Sequence, residues 1–268
     1  MPTDPKSEER HLTLKLARDP LDLRAAQRLR YRVFVEELGA TGPGVDHQNR
    51  IEADEFDAYY DHLLLIDRRI DPSSEDHVVG VYRLLRGEVA LGGPGFYSAG
   101  EYDLEPLIAT GRPLLELGRS CVDPAHRGGA AMVMLWNALA EYVVRHGIEI
   151  MFGVASYHGT DLKRIEQSLA YLHHNHLAPE EIRVQVKSPH YQTLDLVPAE
   201  HVDRKQAMLE TPALIRGYLR LGGFIGDGAF IDRQFNTVDV CLLMDTARMS
   251  ERHRSVYQRR GEKQGRFA

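Results

Sequence analysis

Leu23, Ala26, Leu29, Val33 and Phe34 recur at helical spacing, and Gly39 follows as a stop, so the pattern predicts a helix over Leu21–Leu38. His62–Asp67 and Val78–Leu85 read as two strands separated by the turn-rich IDPSSED of residues 70–76. Leu114–Val122 is a third strand and Ile148–Ser156 a fourth. Between them Met132, Leu135, Trp136, Leu139 and Val143 line one helical face, and Gly147 suits its C-terminus. Strand, glycine turn, helix, strand is a βαβ unit, which makes its two strands parallel neighbours. Further on, the pattern predicts a helix over Asp161–Ala178, strands at Ile182–Val186 and Val238–Met244, and a helix over Pro212–Leu221. No internal repeat or linker interrupts this order. The expectation is a mixed α/β fold in one domain.

Composition adds little to that picture. The 268 residues are 43% hydrophobic and 27% charged, enough for one large core or two small ones. Cys121 and Cys241 form no CxxC pair, which suits a reducing compartment and gives no metal signal. No stretch free of Asp, Glu, Lys and Arg nears the about 20 residues of a membrane span, Gly128–Ala140 being as long as any. The polar start lacks the apolar segment of a signal peptide, so a cytoplasmic location is expected.

Charge is more informative. Residues 248–268 hold seven Lys/Arg and two Glu, a tail of +5 behind a body of −11, within a net charge of −6. Such a tail either meets an anionic partner, a lipid surface or an acidic protein, or is a solvated terminus. The boundaries expected are a polar segment 1–13, one domain 14–247, and the basic tail 248–268.

The candidate chemistry lies in LLELGRSCVDPAHRGGAAM, residues 114–132. Burying an unpaired ion costs several kcal/mol, roughly 3–5 when one partner of a pair is missing. Glu116 and Arg119 in an apolar strand are therefore paired or working. In a regular strand they face opposite sides, but a bulge at Gly118 brings both toward one cleft. The alternative is a structural ion pair inside the sheet. After the strand, glycines before a helix leave N–H groups able to cradle a phosphate, although Gly-Gly there is more often only a turn.

This order of strand, loop and helix resembles the acyl-donor motif of the GNAT acyltransferases, with its (Gln/Arg)-x-x-Gly-x-(Gly/Ala) loop. Gly129 and Ala131 fill the small positions, His126 stands where Gln or Arg is expected, and Arg127 and Gly128 complete the loop. The resemblance implies a mixed central sheet flanked by helices, a pantetheine phosphate on the loop, and a strand bulge near Gly118 whose N–H stabilises the oxyanion. A donor on acyl carrier protein, with one pantetheine phosphate, asks less of His126 than a CoA pyrophosphate does.

LRYRVFVEELG (29–39), DEFDAYYDHLLLID (54–67), VVGVYRLL (78–85) and LELGRSCV (115–122) are similar, in order, to the acyl-homoserine lactone synthases. That likeness singles out Arg30, Phe34, Asp54, Asp57, Arg83, Glu116 and Arg119, although Ala40 replaces the Trp of those enzymes. SYHGTD (156–161), LHHNHLAPEEIRVQV (172–186) and residues 212–245 instead resemble the L-ornithine Nα-acyltransferases. The resemblance runs from Leu14 to Asp245, with 157–247 the part the lactone synthases lack. It implies transfer of a 3-hydroxyacyl group from acyl carrier protein to the α-amine of L-ornithine, giving lyso-ornithine lipid. Glu116 would be the base, no cofactor would be tightly bound, and no metal or nucleic acid would take part. Peripheral contact with an anionic membrane at its inner face fits the basic tail. The alternatives are a lactone synthase using S-adenosylmethionine and a non-catalytic carrier- or lipid-binding module.

Other signals carry less. His62/Asp67 and His190/Asp195 match His-x-x-x-x-Asp by chance among thirteen histidines. His173, His174 and His176 read as a polar helix end, and Cys121 as a small buried thiol. The acidic run Asp46–Asp61 is a solvated loop, or it receives the two ammonium groups of ornithine.

Overall fold

A computed structural model describes residues 11–127 and 130–248. Gly128, Gly129 and the tail beyond Arg248 lie outside the described residues. The chain runs through β1 (Leu12–Leu16), α1 (Pro20–Arg30), β2 (Val45–Asp46), β3 (Ile51–Glu52), β4 (Asp61–Asp67), β5 (Val78–Arg86), β6 (Tyr102–Asp103) and β7 (Leu114–Val122). There follow α2 (Ala130–Arg145), β8 (Ile150–His158), α3 (Glu166–His176), β9 (Gln185–Val186), α4 (Arg204–Glu210), α5 (Ala213–Arg220), β10 (Phe224–Ile225), β11 (Phe230–Asp232) and β12 (Thr237–Asp245). The described residues gather into two compact units.

The first unit holds residues 11–85 and 117–147. Antiparallel β1, β4 and β5 are followed in the sheet by the second half of β7. Ala25, Ala26 and Leu29 of α1 pack with Leu64, Val78, Val81 and Cys121. On the other face Leu135 of α2 comes so close to Gly80 that a Cβ there would meet its Cδ1 at 3.1 Å, which is why that strand position takes glycine. Asp19 caps α1 through the N–H groups of Leu21 and Asp22, with Pro20 in the first turn.

The helix predicted over Leu21–Leu38 changes register partway. Its α-helical part ends at Arg30 and Tyr31–Glu37 continues as a π-helix, the Leu38 N–H reaching back to Val33 O at 3.2 Å. Gly39 does end it, in the left-handed region at φ +74°, which its missing Cβ permits.

The second unit holds Arg86–Glu116 and residues 148–248. Leu114–Glu116 pair in parallel with Ile150–Phe152, as the βαβ reading required. β8 then pairs antiparallel with β12 along its whole length, and β12 carries β10 and β11. The predicted helix over Asp161–Ala178 is shorter, because Asp161 caps a separate 3-10 turn at Leu162–Arg164 before α3 begins. Of the strand predicted at Ile182–Val186 only Gln185–Val186 forms, paired with β6, and Glu180–Ile182 is a 3-10 turn. Among the described residues no helix is long and apolar enough to cross a membrane.

Candidate active site

β7 carries both charges singled out by the sequence, and each has its own surroundings. In the second unit Glu116 is buried, and its two carboxylate oxygens accept N–H bonds from Tyr97 at 2.9 Å and Ser98 at 2.6 Å. Both donors open the 3-10 turn Tyr97–Gly100. Phe96, just before it, stacks edge-on against Phe152, the strand partner of Glu116, at 5.1 Å between centroids. These two main-chain donors help to fix the carboxylate.

In the first unit Arg119 takes a left-handed φ of +47°. The irregularity expected at Gly118 falls one residue later, and Gly118, Arg119 and Ser120 are only half-buried in a strand otherwise buried. Side-chain alternation breaks at a left-handed residue, and ladder N–H groups beside such a break are freed. Arg119 Nε reaches Glu52 Oε1 at 3.2 Å, and its Nη2 lies 3.3 Å from Asp54 Oδ2.

These contacts belong to a buried network of three arginines and three carboxylates. Arg30, wholly buried, donates Nε to Glu52 Oε2 and Nη1 to Asp57 Oδ1, each at 2.5 Å. Arg83 donates Nη1 to Asp54 and Asp57, both at 2.7 Å, and its guanidinium lies 4.4 Å from the Tyr60 ring centroid. Gln27 donates to the second oxygen of Asp57 at 2.9 Å. Burial pushes the Glu52 and Asp57 carboxyls up, but Arg30 beside both, with Arg119 at Glu52 and Arg83 at Asp57, outweighs it and holds them below the usual carboxylate range. Burial alone would lower the pKa of Arg30, yet Glu52 and Asp57 raise it.

The structure therefore brings Arg30, Asp54, Asp57, Arg83 and Arg119 together and adds Glu52, which sequence reasoning missed. Phe34 packs beside the core around Leu29 and Val33. The acidic run is not a solvated loop at these positions, and Glu52, Asp54 and Asp57 are already committed to arginines. The turn holding Glu116 was also missed; its donors are main-chain groups, which leave no side-chain signature.

In the loop, His126 Nε2 lies 3.1 Å from Asp67 Oδ2, and Arg127 forms a two-pronged pair with Glu37 at 2.5 Å while donating Nε to Val122 O at 3.0 Å. Hydrogen bonding from Arg127 holds the Glu37 carboxyl low. Ala131 is buried in the first turn of α2. Burial pushes the Cys121 thiol up to about 12, leaving it a poor nucleophile. His62 donates its Nε2–H to Asp57 O and Asp67 binds Arg69 and His126, so the two make no dyad.

Residues 29–137 match the acetyltransferase (GNAT) domain family. Over 252 residues the chain is 60% identical to the L-ornithine N(alpha)-acyltransferase of Rhodobacter capsulatus, covering 94% of this chain and 96% of that one. It is 43% identical over 249 residues to the same-named protein of Brucella abortus, covering 92% and 88%. A CoA-dependent acyl-homoserine lactone synthase, solved with SAM and isopentyl-CoA, superposes at a TM-score of 0.52 with 15% identity, covering 94% and 91%. That likeness is one of fold, a GNAT-like mixed sheet flanked by helices. The protein is an N-acyltransferase, and its chain belongs to the L-ornithine N(alpha)-acyltransferase family.

Proposed function

We propose that the protein moves a 3-hydroxyacyl group from the phosphopantetheine thioester of acyl carrier protein to the α-amine of L-ornithine, giving lyso-ornithine lipid. The observation that carries this reading is the 60% identity to an L-ornithine N(alpha)-acyltransferase along almost the whole chain.

The amine attacks the thioester carbonyl, its proton passes to Glu116 directly or through a water, and the tetrahedral intermediate collapses to amide and carrier thiol. Two amide donors help to hold Glu116 in one orientation, as a positioned base requires. The main-chain N–H groups of Gly118–Ser120, beside the left-handed Arg119, would stabilise the oxyanion. The raised Cys121 thiol favours direct transfer over an acyl-enzyme. Donor binding falls to Gly118, His126, Arg127, Gly128, Gly129 and Ala131. Arg127 is half-exposed, so it can exchange Glu37 for a phosphate, while His126 stays anchored on Asp67. Such a loop suits one pantetheine phosphate better than a pyrophosphate. The basic tail would hold the protein against anionic lipid.

Incubation with 3-hydroxyacyl carrier protein and L-ornithine should release carrier thiol and yield N-acyl-ornithine by mass spectrometry. Turnover supported by S-adenosylmethionine in place of ornithine would overturn the acceptor, and equal use of acyl-CoA would overturn the donor.

A further inference from the structure

The turn that supplies Glu116 with its two N–H donors takes its direction from its contacts. The chain enters it through Gly92, Gly93 and Pro94, all exposed, and through Gly95 at a left-handed φ of +81°, and glycines impose little direction of their own. We propose that Lys187 is a positioning residue for the reaction: its ammonium group holds the turn so that the N–H groups of Tyr97 and Ser98 stay on the Glu116 carboxylate. This rests on the reading of Glu116 as the base.

Within the turn, the Ala99 N–H donates to Phe96 O at 3.2 Å and the Glu101 N–H to Ser98 O at 3.1 Å. A short 3-10 turn leaves its last carbonyls without partners of its own. Lys187 meets two of them. Its Nζ donates to Ala99 O at 2.5 Å and its main-chain N–H to Glu101 O at 2.9 Å. Lys187 directly follows β9, whose Val186 pairs with Tyr102 of β6, so main-chain pairing delivers the side chain to the turn.

The ends of the segment are anchored in other ways. Phe96 stacks on the Phe152 ring, and the Tyr102 hydroxyl is bonded to main-chain groups of Gly228, Asp239 and Cys241. The Lys187 ammonium acts between them. The carbonyl it grips belongs to the residue after Ser98, whose own N–H donor lies 2.6 Å from Glu116 Oε1. Lys187 is exposed, so replacing its side chain opens no core cavity. Its bond to Glu101 O, being main-chain, survives the replacement.

The test measures ornithine acylation by wild type, Lys187→Met, Lys187→Arg, Glu116→Gln and the double variant Lys187→Met/Glu116→Gln. Lys187→Met should lower kcat about fivefold, the size of one hydrogen bond, with the KM for ornithine and for the acyl donor unchanged. Lys187→Arg, which keeps a cationic donor, should return kcat to within about twofold of wild type. In the Glu116→Gln background Lys187→Met should cost less than about twofold, because a residue acting through Glu116 has nothing further to lose. Losses that multiply, an unchanged kcat, or no rescue by Lys187→Arg would overturn the proposal. So would a raised KM for either substrate, which would make Lys187 a substrate contact, or a kcat loss accounted for by the unfolded fraction in urea titration. Wild type that does not acylate ornithine overturns the proposed function. Glu116→Gln within about tenfold of wild type removes the base on which this proposal stands. Losses that multiply while Glu116→Gln alone is crippled overturn the role of Lys187 alone.

Discussion

Arg30→Met keeps an unbranched apolar stem in the core of the first unit and removes its charge. Glu52 and Asp57 each lose a partner at 2.5 Å, while Glu52 retains Arg119 at 3.2 Å and Asp57 retains Arg83 at 2.7 Å. Removing one partner of a buried pair costs about 3–5 kcal/mol, and the retained arginines place this case near the lower end, about 3 kcal/mol. At about 2–4 °C per kcal/mol for a chain of this size, Tm should fall by roughly 6–12 °C. The pH dependence has a definite sign. Both carboxyls have folded pKa values below the ordinary 4.5 and 3.8, so their pairing stabilises above those values and fades as pH falls through and beneath them. In the variant the stranded carboxylates are relieved by protonation, so the gap to wild type should narrow in acid. Urea midpoints at neutral pH and near pH 4 would measure both effects. A loss under about 1 kcal/mol, or a gap independent of pH, would refute the idea that this network is a mutually dependent ionic core.

Glu116→Gln places an amide NH2 against one of two main-chain donors, so it should cost about 1 kcal/mol in stability and lower kcat by about 10²-fold or more; activity within tenfold of wild type would remove Glu116 as the base. Arg127→Ala breaks a surface pair worth under about 1 kcal/mol, so Tm should barely move while KM for the acyl donor rises, and an unchanged KM would take Arg127 out of donor binding. Removing residues 249–268 should weaken co-sedimentation with anionic vesicles at low salt, because basic residues near such a surface contribute about 1 kcal/mol each; a higher KM for acyl carrier protein with vesicle binding intact would instead assign the tail to the donor.

Much of the fold was legible in the chain because its signals are local. The apolar run Leu114–Val122 and the amphipathic face from Met132 to Val143 specify their elements without help from distant residues, and Gly39 and Gly147 mark their own stops at positive φ. What escaped depended on distant partners. Glu52 sits in a two-residue strand whose fate is decided by Arg30 and Arg119, 22 and 67 positions away. Periodicity carried Leu21–Leu38 through as one helix because Val33, Phe34 and Leu38 still pack with Leu29 although the turns widen after Arg30. Alternation also misjudged β7, since the sequence offered a glycine at 118 and the left-handed residue is the arginine beside it.

That last substitution of roles has a consequence. A left-handed backbone costs an L-residue roughly 1–2 kcal/mol, and Gly118 would have taken it freely but does not adopt it. The break in β7 is instead held at Arg119, where the side chain is drawn to Glu52 and Asp54. Glu52 is fixed by Arg30, Asp54 by Arg83, and Arg83 and Arg30 meet on Asp57. A glycine break would be pliant; one set by a fork of ion pairs has a single preferred orientation. These arginines and carboxylates thereby bear on where the main-chain N–H groups of Gly118–Ser120 point. On the proposed mechanism the ionic core would aim the oxyanion donors, and weakening it should loosen catalysis before it unfolds the chain.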